Sequence, residues 1–265
     1  MWKRRSLKRS QKAAHRRRNF KILRASFGIV ALVACIYSFA SISQNPIFFI
    51  EKVSLEGNVF LSLTDVRPII FDNISGNHFG LFSKQNILLY PKGKIEKEIL
   101  LRFPRVESIK VRIEGINNVA VLVKERLPEG IWCENAQEEA PCFFLDKDGF
   151  IFAKSPSFTS DVYVRFLGEL SEEEPLRSIF LSGNFPRLLS FTDGVAEIGL
   201  KPISVEIMPN NDGILRTDKG EILFTLERNL VEILENLKTF WRENSDTLPR
   251  FEYLDLRFGN KIFYK

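Results

Sequence analysis

The stretch ASFGIVALVACIYSFASISQNPIFFI, residues 25–50, decides the architecture of this chain because it contains no charged residue. Its first eighteen residues are apolar enough to form a helix that crosses a membrane, which takes about 20 residues at ~1.5 Å each. Tyr37 and Phe39 lie toward its far end, where aromatic rings favour the headgroup region. Pro46 lacks an amide donor and ends any helix. The sequence therefore predicts a single spanning helix over residues 25–45.

The residues before this stretch form a basic cytoplasmic tail. Residues 1–24 contain eleven Lys and Arg and no acidic residue, so the other 27 basic residues stand against 33 acidic ones and residues 25–265 carry a net charge of −6. Because the cations flank only one end of the apolar stretch, the N-terminus is expected in the cytoplasm and residues 46–265 outside. We expect the tail to contact anionic lipid rather than nucleic acid.

Two other interpretations of the apolar stretch are less consistent with the sequence. A cleaved signal peptide finds a small-x-small site at Ser38-Phe39-Ala40, but the basic region before it is long and the apolar stretch exceeds an ordinary signal core. A buried core helix does not explain the adjoining cationic block. With 265 residues, 45% of them hydrophobic and 27% charged, the chain is also neither collagen-like, nor wholly disordered, nor a multi-span transporter.

The cysteines indicate an oxidising compartment. Cys133 and Cys142 lie in the exterior part, separated by eight mostly polar residues, and this layout suits a disulfide across a hairpin loop. Two free thiols are the alternative. A metal site lacks ligands, because the histidines of the chain are His15 in the tail and His78 far upstream. Cys35 lies in the predicted span.

The first exterior segment predicts a small α+β domain. Residues 49–55 alternate as a strand and end at Gly57-Asn58, and Thr64 or Asp65 is a predicted N-cap for a helix over 66–71. A turn-rich link over 73–80 precedes an amphipathic helix over 94–102. Alternating strands follow over 106–114 and 119–124. The resulting order is β-α-α-β-β, with helices on one face of a short sheet.

The remaining residues predict a β-rich domain that ends in an edge hairpin. Alternating or hairpin-forming strands are expected over 161–167, 202–208, 214–216 and 221–225, and helices over 185–197 and 230–241. Strands over 251–256 and 261–264 then pair at the very end of the sequence. The last strand is an edge strand unless another chain covers it.

Several motifs resemble the FtsQ/DivIB family of bacterial cell division proteins. They are F-I-x-x-V-x-L-x-G-N from Phe49, F-P-R-V-x-x-I-K-V-R from Phe103, V-x-V-x-E-R-x-P from Val121, the hairpin Phe144–Phe152 after Ile131-Trp132, and Tyr253-Leu254-Asp255-Leu256-Arg257-Phe258. The resemblance implies a POTRA domain over 46–126 and an FtsQ-type β-domain over 127–265. It implies a divisome scaffold at the septum that holds FtsB/FtsL-like coiled-coil proteins, with other divisome membrane proteins as further partners.

The edge hairpin supplies a mechanism for partner binding. Unpaired backbone groups on an edge strand accept a strand from a partner, while alternate side chains give specificity. We predict contact through a set of mainly apolar residues: Tyr253, Arg257, Phe258, Ile262, Phe263 and Tyr264. Arg257 and Phe258 are assigned because the resemblance places the family contact at the end of that motif. The alternative is that Phe258 and Phe263 complete the core of the β-domain.

No catalytic or cofactor-binding motif is found in the sequence. Asp146 and Asp148 are close in a predicted turn, but we expect both to be solvated turn formers, and His78 to be a loop residue. The sequence lacks phosphate-loop, nucleophile-elbow, zinc-protease and CxxC motifs. We therefore expect neither an enzyme, nor a cofactor, nor a metal. The alternatives are a membrane-anchored POTRA chaperone or secretion component that binds extended polypeptide, and a signal-anchored hydrolase.

Overall fold

The computed structural model describes residues 3–137, 140–157 and 162–265, with side chains from Arg18 onward. One helix, α1, runs over Lys3–Ser43, and its Arg18–Ser43 part is long and apolar enough to cross a membrane. The structure therefore has the predicted N-terminal helix, which could span a membrane by its length and composition. The helix also continues back through the basic tail, whose Lys, Arg, Ala and Gln residues favour helix formation.

The end of α1 is set by a short polar and proline-containing segment. After Ser43, the side chain of Asn45 accepts a hydrogen bond from the backbone N–H of Ile47 at 3.1 Å. This caps a single 3-10 turn, Pro46–Phe48, with the proline at its start. Three residues, 49–51, then lead into the first strand.

By its contacts the chain divides into two compact units. Unit 1 comprises Met1–Leu101 and Ser108–Lys124, and unit 2 comprises Arg102–Glu107 and Glu125–Lys265. The sequence predicts a domain boundary after residue 126, and that boundary was not used to define these two units.

After α1, unit 1 has a three-stranded sheet and two helices. Its elements, in chain order, are β1 (Lys52–Glu56), α2 (Leu63–Ile74), β2 (Asn77–His78), β3 (Phe82–Ser83), α3 (Lys92–Arg102), β4 (Val106–Ile113) and β5 (Asn118–Glu125). The sheet order is β1-β5-β4, with β1 parallel to β5. The apolar stripe of α3 buries Ile95 and Ile99, the alternation of β4 buries Val111, and β5 buries Val119 and Val121.

Two sequence predictions for unit 1 need correction. The link predicted over 73–80 is not simply turns, because β2 and β3 form a short hairpin and α2 extends to Ile74. The N-cap of α2 is Ser62 rather than Thr64 or Asp65. Asp65 instead accepts hydrogen bonds from the backbone N–H and the hydroxyl of Ser62. These bonds lower the pKa of the exposed Asp65 carboxyl, the hydroxyl contributing most.

Unit 2 contains a nine-stranded sheet among the residues that are described. Its strands are β6 (Gly130–Cys133), β7 (Cys142–Leu145), β8 (Ile151–Lys154), β9 (Arg165–Leu167), β10 (Pro202–Ile207), β11 (Asp212–Thr217), β12 (Glu221–Thr225), β13 (Tyr253–Asp255) and β14 (Phe263–Tyr264). The order across the sheet is β14-β13-β12-β11-β10-β9-β6-β7-β8. The strand β9 is parallel to β6 and β10, β12 is parallel to β13, and the other pairs are antiparallel.

Two helices supply much of the core of unit 2. They are α4 (Phe185–Glu197) and α5 (Leu230–Asn244), which pack against each other. Phe185 from α4 contacts Phe166 of β9 edge to face, with 5.0 Å between ring centroids. Phe191 from the same helix packs on Phe224 of β12, also at 5.0 Å. The coarse prediction, an N-terminal helix long and apolar enough to span a membrane followed by α/β content with sheets, is thus confirmed.

Several element bounds in unit 2 differ from those expected. The strand predicted over 161–167 is β9 and starts at Arg165, and Asp161 lies outside the described residues. The two C-terminal strands are shorter than predicted. The expectation that Asp146 is solvated is wrong, since it is 4% exposed, pairs with Arg126 and accepts the N–H groups of Asp148 and Phe150.

Candidate partner-binding groove

An open groove of about 920 Å³ lies beside the last two strands of unit 2. Its lining combines apolar rings with charged and amide side chains: Arg228, Glu232, Tyr253, Asp255, Phe258, Gly259, Asn260, Lys261 and Phe263. The groove exists because β13 and β14 are joined by the turn after Asp255, which places Phe258 next to the end of the sheet. Four of the nine lining positions come from that turn or its flanks and are consecutive, 258–261.

Arg257 stabilises the base of the turn. Its guanidinium donates to both carboxylate oxygens of Asp255, at 2.9 and 2.7 Å, and to Asp212 of β11 at 2.9 Å. Burial raises the pKa of the Asp255 carboxyl, but the hydrogen bonds from Arg257 outweigh it and leave the pKa below its usual value. The same carboxylates raise the pKa of Arg257. This predicted partner-binding residue therefore binds its own chain, with 31% of its side chain exposed.

Arg228, just before α5, holds the turn from the other side. Its guanidinium donates to the backbone carbonyl oxygens of Leu256 at 3.0 Å and Gly259 at 2.9 Å. It also forms an ion pair with Glu232 at 3.6 Å. A turn held by two arginines from different elements presents Phe258 in a fixed position without burying it.

The predicted apolar contact residues lie on two faces of the final hairpin. Phe258 and Phe263 are 57% and 51% exposed and contact each other edge to face at 5.7 Å, so neither belongs to the core. Tyr264 is on the opposite face, where it packs on Phe240 of α5 at 5.5 Å. Ile262 packs against the core of unit 2. The structure thus brings Tyr253, Phe258 and Phe263 together in the groove and places Ile262 and Tyr264 against the helix side.

The backbone of β14 leaves one side of the strand open. The N–H of Lys265 donates to the carbonyl of Tyr253, and the carbonyl of Lys265 accepts from the N–H of Tyr253. Since bonded and non-bonded pairs alternate in an antiparallel ladder, the next pair, Leu254 and Tyr264, is non-bonded. The N–H and C=O of Tyr264 therefore point away from β13, and β14 is the last strand in the order of the sheet.

The side chain of Lys265 contacts the residue before β13. The ammonium group of Lys265 lies 2.8 Å from the Glu252 carboxylate. The hydrogen bond to Glu252 contributes most to raising the pKa of Lys265 above its usual value. Both side chains are exposed, so the pair contributes little to stability.

Sequence reasoning missed the polar part of the groove. Arg228 and Glu232 line the groove but are separated from Phe258 by 26 or more residues, and no local pattern connects them. Asp212, which bonds to Arg257 beneath the turn, is farther away still. Asn260 and Lys261 were inside the predicted turn and strand but carried no distinctive spacing. The one available signal was the Asp255-Leu256-Arg257 order, in which a carboxylate and a guanidinium two residues apart often bond locally.

The other predicted pair lies at the opposite part of the sheet. Cys133 of β6 and Cys142 of β7 are directly opposite each other and form a disulfide. Among the residues described, no group of His, Cys, Asp or Glu side chains is arranged to hold a metal ion.

Compared with models of known protein families and with curated protein sequences, this chain matches none. The resemblance to the FtsQ/DivIB family therefore rests on the motifs in the sequence, and the function is argued from the groove.

Proposed function

We propose that this protein is a single-pass scaffold of the bacterial division machinery, which recruits FtsB/FtsL-like partners and links them to septal cell-wall synthesis. In this proposal α1 anchors the chain in the plasma membrane with the N-terminus in the cytoplasm. The exterior units assemble proteins at the septum and do not catalyse a reaction. The observation that carries the proposal is the open edge of β14 beside the exposed pair Phe258 and Phe263.

The anchor and its orientation are supported by charge. Eleven cationic residues precede the apolar part of α1, and the first charged residue after it is Glu51. Such an asymmetry keeps the basic flank in the cytoplasm. The disulfide of unit 2 suits an oxidising compartment on the other side of the membrane.

The order of elements in unit 1 supports the POTRA assignment. Leaving aside the short β2–β3 hairpin, the order is strand, helix, helix, strand, strand, as the resemblance implies. The first and last strands are neighbours and parallel. The β2–β3 hairpin is an addition to the order that we expected from the sequence.

Strand addition at β14 would use both the open backbone edge of that strand and the side chains of the groove beside it. The outward N–H and C=O of Tyr264 offer hydrogen bonds to any extended segment, which gives affinity without regard to sequence. Phe258 and Phe263 add exposed apolar area of the kind that is enriched at the centres of interfaces. Arg228, Glu232 and Lys261 add charges of both signs around that area, and these favour one partner sequence over another.

A pair of substitutions at Tyr264 tests strand addition. The variant Tyr264→Pro removes the outward N–H, whereas Tyr264→Ala keeps it and removes only the side chain that packs on Phe240. Each full-length variant is co-expressed with the FtsB/FtsL-like pair of the same cells and purified from membranes. We expect the proline variant to bind at least tenfold more weakly than the alanine variant, about one lost buried hydrogen bond. Equal binding by the two variants rules out strand addition at Tyr264.

The location of the protein tests its place in the division machinery. We expect an N-terminal fluorescent fusion of the full chain to form a band at mid-cell in dividing cells. The Tyr264→Pro fusion is the control, because it should keep the membrane location and lose the co-purifying partners. An even distribution around the envelope, together with binding of unrelated extended peptides, would instead favour the chaperone or secretion alternative.

A further inference from the structure

We propose that the β2–β3 hairpin of unit 1 is a membrane-contacting foot, in which Phe79 enters the lipid headgroup region beside the exit point of α1. This inference rests on α1 crossing the bilayer, as proposed above. It does not depend on which partners the protein recruits. All the residues involved belong to unit 1.

The hairpin is fixed directly to the last turns of α1. The hydroxyl of Ser43 accepts the N–H of Ser83 in β3 at 3.3 Å, and the side chain of Gln44 donates to the carbonyl of Leu81 at 3.0 Å. The side chain of Asn86 donates to the carbonyl of Ser43 at 3.2 Å. Three hydrogen bonds from different residues hold the hairpin and the segment after it against the end of the helix.

Burial along α1 shows how far toward the membrane this contact extends. Ser43 and Ala40 are 4% and 5% exposed, although most of the apolar side chains on the rest of the span are more than half exposed. Ala40 lies about one turn nearer the membrane centre than Ser43. A spanning segment of about 20 residues counted from Ala25 ends at Gln44. The contact between α1 and β3 is therefore at the depth of the exterior headgroups.

Phe79 lies at the tip of the hairpin and buries almost none of its side chain against the described part of the chain. Its side chain is 96% exposed. Its backbone φ is +51°, a left-handed conformation that glycine or asparagine adopts more easily than phenylalanine. The side chain thus adds no burial and the backbone is unfavourable, so a contact outside the chain best explains a phenylalanine here. Aromatic rings are the side chains that favour the headgroup region.

Neighbouring segments present further apolar side chains. Leu81 follows the tip of the hairpin, Ile47 lies in the turn after α1, and Leu88 is two residues beyond Asn86, which bonds to Ser43. All three are exposed, Leu88 to 75%. Scattered exposed leucines are ordinary on soluble proteins, but these come from the segments that meet the end of a spanning helix. Continuity with that helix makes lipid the occupant that this surface fits.

Nitroxide labels on the full-length protein in phosphatidylcholine–phosphatidylglycerol vesicles test the inference. The native free thiol Cys35 reports whether α1 is in lipid. Phe79→Cys and Val59→Cys, each made in a Cys35→Ala background, report the foot and a matched control. Val59 is 76% exposed in the same unit and follows β1 at the end opposite to α1. Relaxation by oxygen, which concentrates in lipid, is compared with relaxation by a water-soluble nickel chelate.

We expect the oxygen-to-nickel ratio at residue 79 to be several-fold above that at residue 59 and nearer to that at Cys35. A label at Cys35 in lipid with equal ratios at residues 79 and 59 overturns the foot and leaves the anchor standing. A label at Cys35 in water overturns the anchor itself. If Phe79→Cys alters the unfolding transition of the protein in micelles, Leu81→Cys replaces it, and the same comparison with residue 59 decides.

Discussion

The two edges of the sheet in unit 2 are treated in opposite ways. At the β8 edge, the N–H of Ile151 donates to the carbonyl of Ser178 at 2.9 Å and its own carbonyl accepts the N–H of Arg177 at 2.8 Å. The N–H of Phe180 donates to the carbonyl of Gly149, beside a bridge between Phe150 and Ile179. A segment of the same chain therefore covers this edge at residues 149–151. No segment among the described residues bonds to the outward backbone groups of Tyr264 at the β14 edge.

The contrast shows that the two edges of this sheet are not equally open to another strand. An uncovered edge is a hazard, because it invites pairing with other chains, and folds usually cover or blunt it. Here one edge is covered and the other is left open with Phe258 and Phe263 exposed beside it. We infer that the open edge is retained for a partner.

The largest loss of stability is expected when a methyl group is added to Gly149 at the covered edge. In Gly149→Ala, the new Cβ would lie 2.4 Å from the carbonyl oxygen of Phe180, in a residue whose φ is +81°. Both the left-handed backbone and the overlap are unfavourable, so we expect a loss of about 4 kcal/mol in the free energy of unfolding. Denaturant titration of the full chain in detergent, followed by tryptophan fluorescence, measures it.

Gly259 at the open edge is the matched control. It also has a left-handed backbone, with φ +62°, but a Cβ there meets nothing within 4 Å. Gly259→Ala should therefore cost only about 1 kcal/mol, from the backbone alone. If both substitutions lower the free energy of unfolding equally, Gly149 is not packed against the carbonyl of Phe180.

The disulfide is expected to stabilise the covered half of the sheet. Cys133 and Cys142 are nine residues apart in sequence, and closing a loop of this size in the unfolded chain contributes about 2 to 3 kcal/mol. Reductant should lower the free energy of unfolding of the parent by that amount. The double variant Cys133→Ala, Cys142→Ala should start lower and not respond to reductant. Partner binding at β14 should persist after reduction, and its loss would mean that the two edges are coupled.

The sequence was sufficient for features that depend on neighbouring residues. The charge-free stretch before Pro46 predicted α1, and the alternation of β4 and β5 predicted both strands within two residues. It missed the β2–β3 hairpin, although turns were predicted over 73–80, because each strand has only two residues. Two residues are too few to show the alternation by which a strand is recognised.

Features that depend on distant residues were not accessible. The ion pair between Arg257 and Asp212 joins residues 45 positions apart, and the support from Arg228 to Gly259 spans 31. Sequence periodicity reports which residues are buried, but it does not report which strands become neighbours. The exposure of Phe258 and Phe263 likewise follows from where the sheet ends, which only the strand order shows.

A smaller loss of stability, which depends on pH, is expected when Asp255 at the base of the open edge is replaced. Asp255 has a folded-state pKa below its unfolded value of about 3.9, so its contribution to stability is complete above that value and is lost as the pH falls through the folded pKa. Asp255→Asn should lower the free energy of unfolding at pH 7 by about 1 to 2 kcal/mol. As the pH is lowered from 5, the free energy of unfolding of the Asp255→Asn variant should fall less than that of the parent. Denaturant titration at each pH measures both. Parallel pH curves for parent and variant contradict the assignment.

The smallest effect on stability is expected where the proposed effect on function is largest. Phe258→Ser and Phe263→Ser remove side chains that are more than half exposed and lie outside the core, so each should change the free energy of unfolding by no more than about 0.5 kcal/mol. Phe224→Ser, at a fully buried ring of β12, should cost about 4 kcal/mol and provides the scale. Unchanged stability in both serine variants would show that the fold needs neither ring, which the proposed partner contact requires. Marked destabilisation by Phe258→Ser would return that ring to the core and remove the argument for a partner.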